Sequence, residues 1–424
     1  MVPKGWEVKT LEQAKITVTD GDRGKEYPKS SEFFDSGYCL FLSAKNVTKK
    51  GFSFLDTQFI SEEKHKKLRK GVVKKGDIVL TTRGSVGQFA YYDHTVNFEN
   101  IRINSGMVTL GCSKSELESD FFYALSKSSL IARQIDSAAF GSAQPQLTVK
   151  IIKSLKLPIP PLVEQQKIAK ILSTWDKAIS TTERLIENSN QQKKALMQQL
   201  LAGKKRLLDE SGKRFEGEWE ERKLSNLGST FNGLTGKTKV DFGSGKKYIP
   251  YMNIFKNTFI DTDNLDYVNV DVDEKQNTVQ FGDVFFTTSS ETPEEVGMSS
   301  VLLKKTKEPI YLNSFCFGFR LFEIDKVTPA FIGYILRSSH VRRKIAILAQ
   351  GATRYNLSKV QLLKISIALP SLEEQQKIAT VLTNADKEIG LLEQQLADLQ
   401  QEKKALMQVL LTGKKRVVVD GEVS

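Results

Sequence analysis

Pro160–Arg206 reads PPLVEQQKIAKILSTWDKAISTTERLIENSNQQKKALMQQLLAGKKR, and Pro370–Arg416 reads PSLEEQQKIATVLTNADKEIGLLEQQLADLQQEKKALMQVLLTGKKR. The two stretches align without a gap at an offset of 210, Pro160 against Pro370, and more than half of the positions are identical. A period near half the chain is too long for a solenoid. It implies two similar modules related by an internal pseudo-twofold, the layout of a reader with two separated targets on one long ligand.

Both stretches are expected to be helices. Pro160, Pro161 and Pro370 mark the starts, and Gly203 and Gly413, each followed by Lys-Lys-Arg, mark the ends. A spacing near 3.5 residues puts Ile168, Leu172, Trp175, Ile179, Thr182, Ile186, Ser189, Lys193, Leu196 and Leu200 on one seam of the first helix. In the second, Ile378, Leu382, Ala385, Ile389, Leu392, Leu396, Leu399, Lys403, Leu406 and Leu410 share a seam. Helix pairing is assigned to the Ile and Leu members: Ile168, Leu172, Ile179, Ile186, Leu196 and Leu200 with Ile378, Leu382, Ile389, Leu396, Leu406 and Leu410. Lys193 and Lys403 interrupt the two seams at the same place, either as register or partner-contact positions or as snorkelling lysines. A helix of about 40 residues is about 60 Å long and cannot hide inside one such module. Two of them most simply pair with each other, antiparallel, with one module at each end. The modules would then stand apart on the scale of a turn of B-DNA, about 34 Å.

The duplication continues, more weakly, outside the helices. Trp6-Glu7 before Leu11 matches Trp219-Glu220 before Leu224, and Gly76–Thr82 (GDIVLTT) matches Gly282–Thr288 (GDVFFTT). Phe121–Ser129 matches Phe331–Ser339, and Gly141, six before Leu147-Thr148, matches Gly351, six before Leu357-Ser358. The expected fold class is therefore α+β: two mixed, mostly β modules separated by two long antiparallel coiled-coil helices. The divisions fall at 1–155, 156–206, 207–366, 367–417 and a tail, 418–424. Asp77–Thr81 and Val284–Thr287 read as strands, Phe121–Gln134 and Pro329–Leu348 as helices, the second capped at Thr328. Thr19–Gly24 and Asn232–Gly236 read as exposed loops.

At 424 residues each half can bury its own core. The formal charge of +12 and a pI near 9.3 favour a polyanion, nucleic acid before an anionic membrane surface, with a merely solubilising charge as the bland reading. Three scattered cysteines, no apolar leader and no apolar run of about 18 residues point to a reduced, cytoplasmic chain without a membrane span. Catalytic constellations are missing. Gly236-Lys237-Thr238 lacks the P-loop glycine five positions upstream, where Phe231 stands. No Asp/Asn-Pro-Pro-Tyr/Phe of an amino-methyltransferase occurs, and the three histidines have no metal or triad spacing. A large chain without such groups reads as a binding or assembly subunit.

The basic run Lys64–Lys70 (KHKKLRK) continues to Lys74 and Lys75, with Lys45, Lys49 and Lys50 upstream. Candidate phosphate contacts are Lys45, Lys49, Lys66, Lys67 and Lys74 in the first module and Lys237, Lys246 and Lys256 in the second. Candidate base readers are Arg83, Gln144, Gln146, Arg354 and Tyr355, on loops where Arg, Gln and aromatic side chains could meet base edges. A solvated basic face is the competing reading of all of these.

Glu164–Ala169 and Glu374–Ala379 (EQQKIA), Asp176 and Asp386, Lys193–Gln198 and Lys403–Gln408 (KKALMQ), and the Leu-Leu-x-Gly-Lys-Lys-Arg ends resemble the specificity subunit of Type I restriction-modification systems. The Trp-Glu entries, the Gly-Asp strands and the Gly-to-Leu-Ser/Thr exits resemble that family's two target recognition domains. The resemblance implies one half-site of DNA per recognition domain and a nonspecific spacer set by the paired helices. It also implies two modification subunits that bind S-adenosylmethionine and methylate adenine, and restriction subunits that use ATP and Mg. This chain would carry no cofactor and no metal. The loops of the two modules differ, so an asymmetric bipartite target is expected. The competing readings are a coiled-coil scaffold or inhibitor that binds proteins without reading DNA, and an autonomous enzyme with an unrecognised site.

Overall fold

In the computed structural model, two helices of 39 residues, Leu162–Leu200 and Leu372–Leu410, dominate the secondary structure. The structure describes residues 2–139, 146–351 and 354–418. The chain divides into two units, one of residues 1–183 and 394–424, the other of residues 184–393. Each long helix is therefore shared: half of it belongs to each unit.

The central strands show why these sequences fold as they do. Ile78–Thr81 is buried at every position. A strand turns successive side chains to opposite faces. Ile78 and Leu80 enter a core with Trp6, Leu110, Phe121 and Ile168, whereas Val79 enters a separate core with Leu42, Ile101 and Tyr92. Val284–Thr287 repeats this in the second unit: Val284 and Phe286 join one core and Phe285 the other. A strand covered on both faces reads as an unbroken apolar run.

The sheets around these strands correspond. In the first unit the order is Thr17–Asp20, Met107–Gly111, Ile78–Thr81, Phe89–Tyr91, all antiparallel. In the second it is Gly228–Asn232, Cys316–Leu321, Val284–Thr287, Ser299–Val301, again antiparallel. A mixed sheet packs beside each, with Ile101–Ile103 parallel to Cys39–Leu42 in the first and Tyr311–Leu312 parallel to Phe242–Ile249 in the second. A two-stranded ribbon ties each unit's entry to the segment leading into its long helix: Glu7–Thr10 with Lys156–Ile159, and Glu220–Lys223 with Ser366–Leu369.

The repeated sequence words hold the long helices in place. In the first unit Ile168 and Leu172 share a core with Leu410 and Leu411. In the second, Ile378 and Leu382 share one with Leu200 and Leu201. Every seam position read from the sequence is buried or half-buried, including Ile179, Ile186, Leu196, Ile389, Leu396 and Leu406. Lys403 donates to Asp176 at 2.5 Å in the first unit, and Lys193 pairs with Asp386 in the second. Glu374 is fully buried and receives Arg206 Nε at 2.6 Å and Nη2 at 2.7 Å; Glu164 is held likewise by Arg416. Gln165 and Gln375 clamp the helix starts, donating to the Pro160 and Pro370 carbonyls and accepting from the Glu118 and Thr328 amides. Gly203 and Gly413 adopt φ of 65° and 73°, the left-handed conformation that ends a helix.

Four expectations need correction. Phe121–Gln134 is two helices, Ser119–Ser126 and Ser129–Ala139, and Pro329–Leu348 is also two, Pro329–Leu336 and Ser339–Ile347. The break comes where Ser338 caps a new helix by accepting from the Val341 amide. Thr19–Gly24 is not a loop throughout: Thr19 and Asp20 end a strand, and Gly21 and Asp22 are buried. Asn232 also ends a strand, with Gly233 and Leu234 buried behind it.

Candidate nucleic-acid interface

Against the end of each central strand lies a turn of the same form, opened each time by Asn-Ser. Asn104-Ser105-Gly106 and Asn313-Ser314-Phe315 each form it. Asn104 Oδ1 accepts from Gly106 N at 2.8 Å, and Asn313 Oδ1 from Phe315 N at 2.8 Å. The turn then locks onto the second threonine of the Thr-Thr pair: Thr82 N donates to Gly106 O at 2.8 Å, and Thr288 N to Phe315 O at 3.0 Å. The threonine carbonyl in turn receives the exit segment, Leu147 N at 3.1 Å and Leu357 N at 2.9 Å. Behind the turn a glycine is required. A Cβ on Gly21 would lie 2.0 Å from Asn104 O, and one on Gly233 would lie 2.1 Å from Asn313 O.

Arg83 and Gln146 flank this junction in the first module, and Arg354 and Tyr355 lie on the ribbon that leads into it in the second. In the first unit Arg83, just past Thr82, and Gln146, just before Leu147, are both exposed. With the Gln146 amide oxygen turned toward Arg83, it accepts from Nε at 3.2 Å and Nη2 at 2.9 Å. Arg23 reaches the same place, donating to Ser105 O at 3.1 Å. Asp22 braces it: its carboxylate accepts from the Gly24 and Arg69 amides, each at 2.7 Å. The Gly24 amide, followed by those of Arg69 and Lys70, holds the Asp22 carboxyl below its ordinary range. In the second unit Ser289-Ser290 pairs antiparallel with Tyr355-Asn356, which puts Tyr355 opposite Ser290, two residues past Thr288, and Arg354 one residue further along the ribbon. Tyr251 OH donates to Ser289 O at 2.8 Å and supports that ribbon. Gln144 and Gly141 lie outside the described residues.

The lysine candidates scatter. Lys66 and Lys67 are engaged by Glu62 and Glu63 one turn earlier on the helix Glu62–Lys67. Lys64, from the same run, is mostly buried against Glu32. Arg102 fixes the run's backbone through the carbonyls of His65, Leu68 and Lys70. Lys45 pairs with Asp56 at the surface, at 2.7 Å. Lys49 lines a cleft of about 1220 Å³ with Lys75, Tyr123 and Lys127, at the opposite end of the central strand from Thr82. Lys74, Lys246 and Lys256 are exposed. Lys237 is a correction: its side chain is largely buried against Glu274, so it does not present a surface cation.

The turns themselves escaped the reading of the sequence. Their signal was the repeated Asn-Ser before Gly106-Met107 and before Phe315-Cys316, a two-residue identity too short to stand out. Arg23 and Phe315 were missed with it.

The model of the Type I restriction modification DNA specificity domain matches this chain twice, at residues 3–189 and 216–401. The chain belongs to that family. The specificity subunit of the MjaVIII Type I restriction enzyme from Methanocaldococcus jannaschii is 31% identical over 82% of this chain and 80% of its own length. A putative Type I restriction enzyme MjaX specificity subunit from the same organism is 27% identical over 98% of this chain and 95% of its own. Among solved structures, the S subunit of a Type I restriction-modification system from M. genitalium superposes with a TM-score of 0.58 at 14% identity, covering 97% of this chain and 96% of that one. That likeness is one of fold. Membership makes this a DNA sequence-specificity chain, and its duplicated turn-and-threonine junction is where two specificity domains of one architecture differ in side chains.

Proposed function

We propose that the chain is the noncatalytic specificity subunit of a Type I restriction-modification enzyme and reads an asymmetric bipartite DNA target. Residues 1–155 take one half-site and residues 207–366 the other. The observation that carries this reading is the junction itself: one hydrogen-bonded frame, built twice, with Arg83, Gln146 and Arg23 on one copy and Arg354, Tyr355 and Phe315 on the other. A rigid frame with exchangeable polar and aromatic side chains suits base reading.

The two long helices act as the spacer, paired antiparallel as a coiled coil about a pseudo-twofold. In support, the reciprocal pairs Lys403–Asp176 and Lys193–Asp386 join the late part of one helix to the early part of the other, once in each unit. Two modification subunits dock on this helical region and methylate adenine in each half-site, and restriction subunits join them. S-adenosylmethionine, ATP and Mg belong to those partners, and this chain carries none. It works in the cytoplasm on double-stranded DNA; among the described residues no helix is long and apolar enough to cross a membrane.

The test is co-expression with the modification subunit, followed by a single-base map of methyladenine across the genome. A gapped motif, methylated on both strands only when this chain is present, is the expected result. A stable complex that adds no methylation would overturn the reading in favour of a protein-binding scaffold.

A further inference from the structure

The two recognition junctions share a backbone, yet they differ at the tip of the turn. Where the first unit has Gly106, the second has Phe315, and its side chain is 63% exposed. The phenylalanine is not loose: its amide is held by Asn313 Oδ1 and its carbonyl by the Thr288 amide, at 2.8 and 3.0 Å. The next residue is fixed as well, because Cys316 N donates to Asn313 O at 3.0 Å and Cys316 is buried. A large apolar side chain held in water by a fully bonded turn costs hydration free energy that folding does not recover. Thr288, which holds it, also anchors the segment carrying Arg354 and Tyr355. Arg354 itself is exposed.

We infer that Phe315 is a specificity-determining residue of the second recognition domain and packs its ring against an apolar base surface of the second half-site. The inference rests on the DNA-reading function proposed above and adds a residue and a chemistry to it. Duplex DNA is the occupant because Thr288, which holds Phe315, also anchors the segment that carries the exposed Arg354, on a chain of net charge +12. DNA offers such a ring two apolar surfaces, the thymine methyl in the major groove and the face of a partly unstacked base. Gly106 presents no side chain at the matching place, so the first half-site is read there by polar groups alone. The two half-sites then differ in the kind of contact as well as in sequence.

The experiment uses the full chain with its modification subunit and duplexes carrying the mapped target. Wild type, F315A and F315W are compared on cognate DNA and on DNA with either half-site scrambled. F315A is expected to lose about tenfold in discrimination at the second half-site while the first is read as before, and F315W to keep most of it. Two further arms separate the surfaces. Deoxyuridine in place of thymine in the second half-site weakens wild type but not F315A if the methyl is the contact. 2-Aminopurine there brightens with wild type but not F315A if a base is unstacked. Wild-type discrimination in F315A overturns the inference, as does a loss in F315A with neither signature. A wild-type complex that ignores both half-sites overturns the underlying function and the inference with it.

Discussion

Glu374 has no exposed side-chain surface, and both of its oxygens are taken by Arg206. Removing one member of a buried pair strands the other without solvent or partner, which costs about 3–5 kcal/mol. R206M is therefore expected to destabilise the second unit by about that amount, and R206M/E374M to recover most of it, both read by urea unfolding. The matching R416M should cost less, because the Arg416 side chain is 44% exposed and Glu164 also accepts from Trp6 Nε1. Asp22 gives a pH-dependent counterpart. Two backbone amides favour its ionised form, so its folded pKa lies below the unfolded value. That contribution is complete above the unfolded value, about 3.9, and is lost as pH falls through the lower folded one. D22N should thus melt below wild type at pH 7 by a margin that shrinks toward pH 3. An undiminished margin at low pH would show that the carboxylate charge is not what braces the loop.

Among the elements, the long helices were legible and the recognition turns were not, for a physical reason. A seam repeated over several turns sums many weak preferences, and all its positions, from Ile168 to Leu200 and from Ile378 to Leu410, end up away from full exposure. The break at Lys127-Ser128 was hidden because apolar spacing continues from Leu125 to Ile131 while the helix axis is interrupted. The turn at Asn104 depends on a carbonyl meeting Gly21 across the sheet, a contact no local pattern records. Buried Lys237 belongs to the same class: its partner Glu274 is remote in sequence. The helices also yield a prediction. If they are an antiparallel ruler, a heptad inserted into Thr182–Gln192 alone lengthens one rod and not the other, setting Lys193–Asp386 against Lys403–Asp176. Matched heptads in Thr182–Gln192 and Leu392–Glu402 should instead add about 10 Å and widen the methylated motif's gap by about three base pairs, with both half-sites kept. An unchanged gap in a stable doubly extended chain would sink the ruler.

For the whole molecule the question is whether its two readers are independent. Each unit has its own cores, its own closing ribbon and its own junction, and the bonds described at Thr82 and Thr288 fall within their own units. Specificity should therefore be modular, whereas affinity should not be. A net charge of +12 acts on the DNA backbone through both units at once, and phosphate contacts make binding fall steeply with salt whatever the bases are. Replacing residues 1–155 by another recognition domain should exchange one half of the methylated motif and leave the other half and the gap unaltered. R83A, by contrast, should relax the first half-site at a single position, while K74A and K246A should weaken binding to all duplexes alike and flatten the salt dependence by about one counterion each. Salt titrations of the three variants on cognate and scrambled duplexes separate the two effects. If R83A behaved as K74A does, losing affinity equally on every sequence, Arg83 would be a phosphate contact, and base reading in the first module would fall to Gln146 and the residues around Ser105.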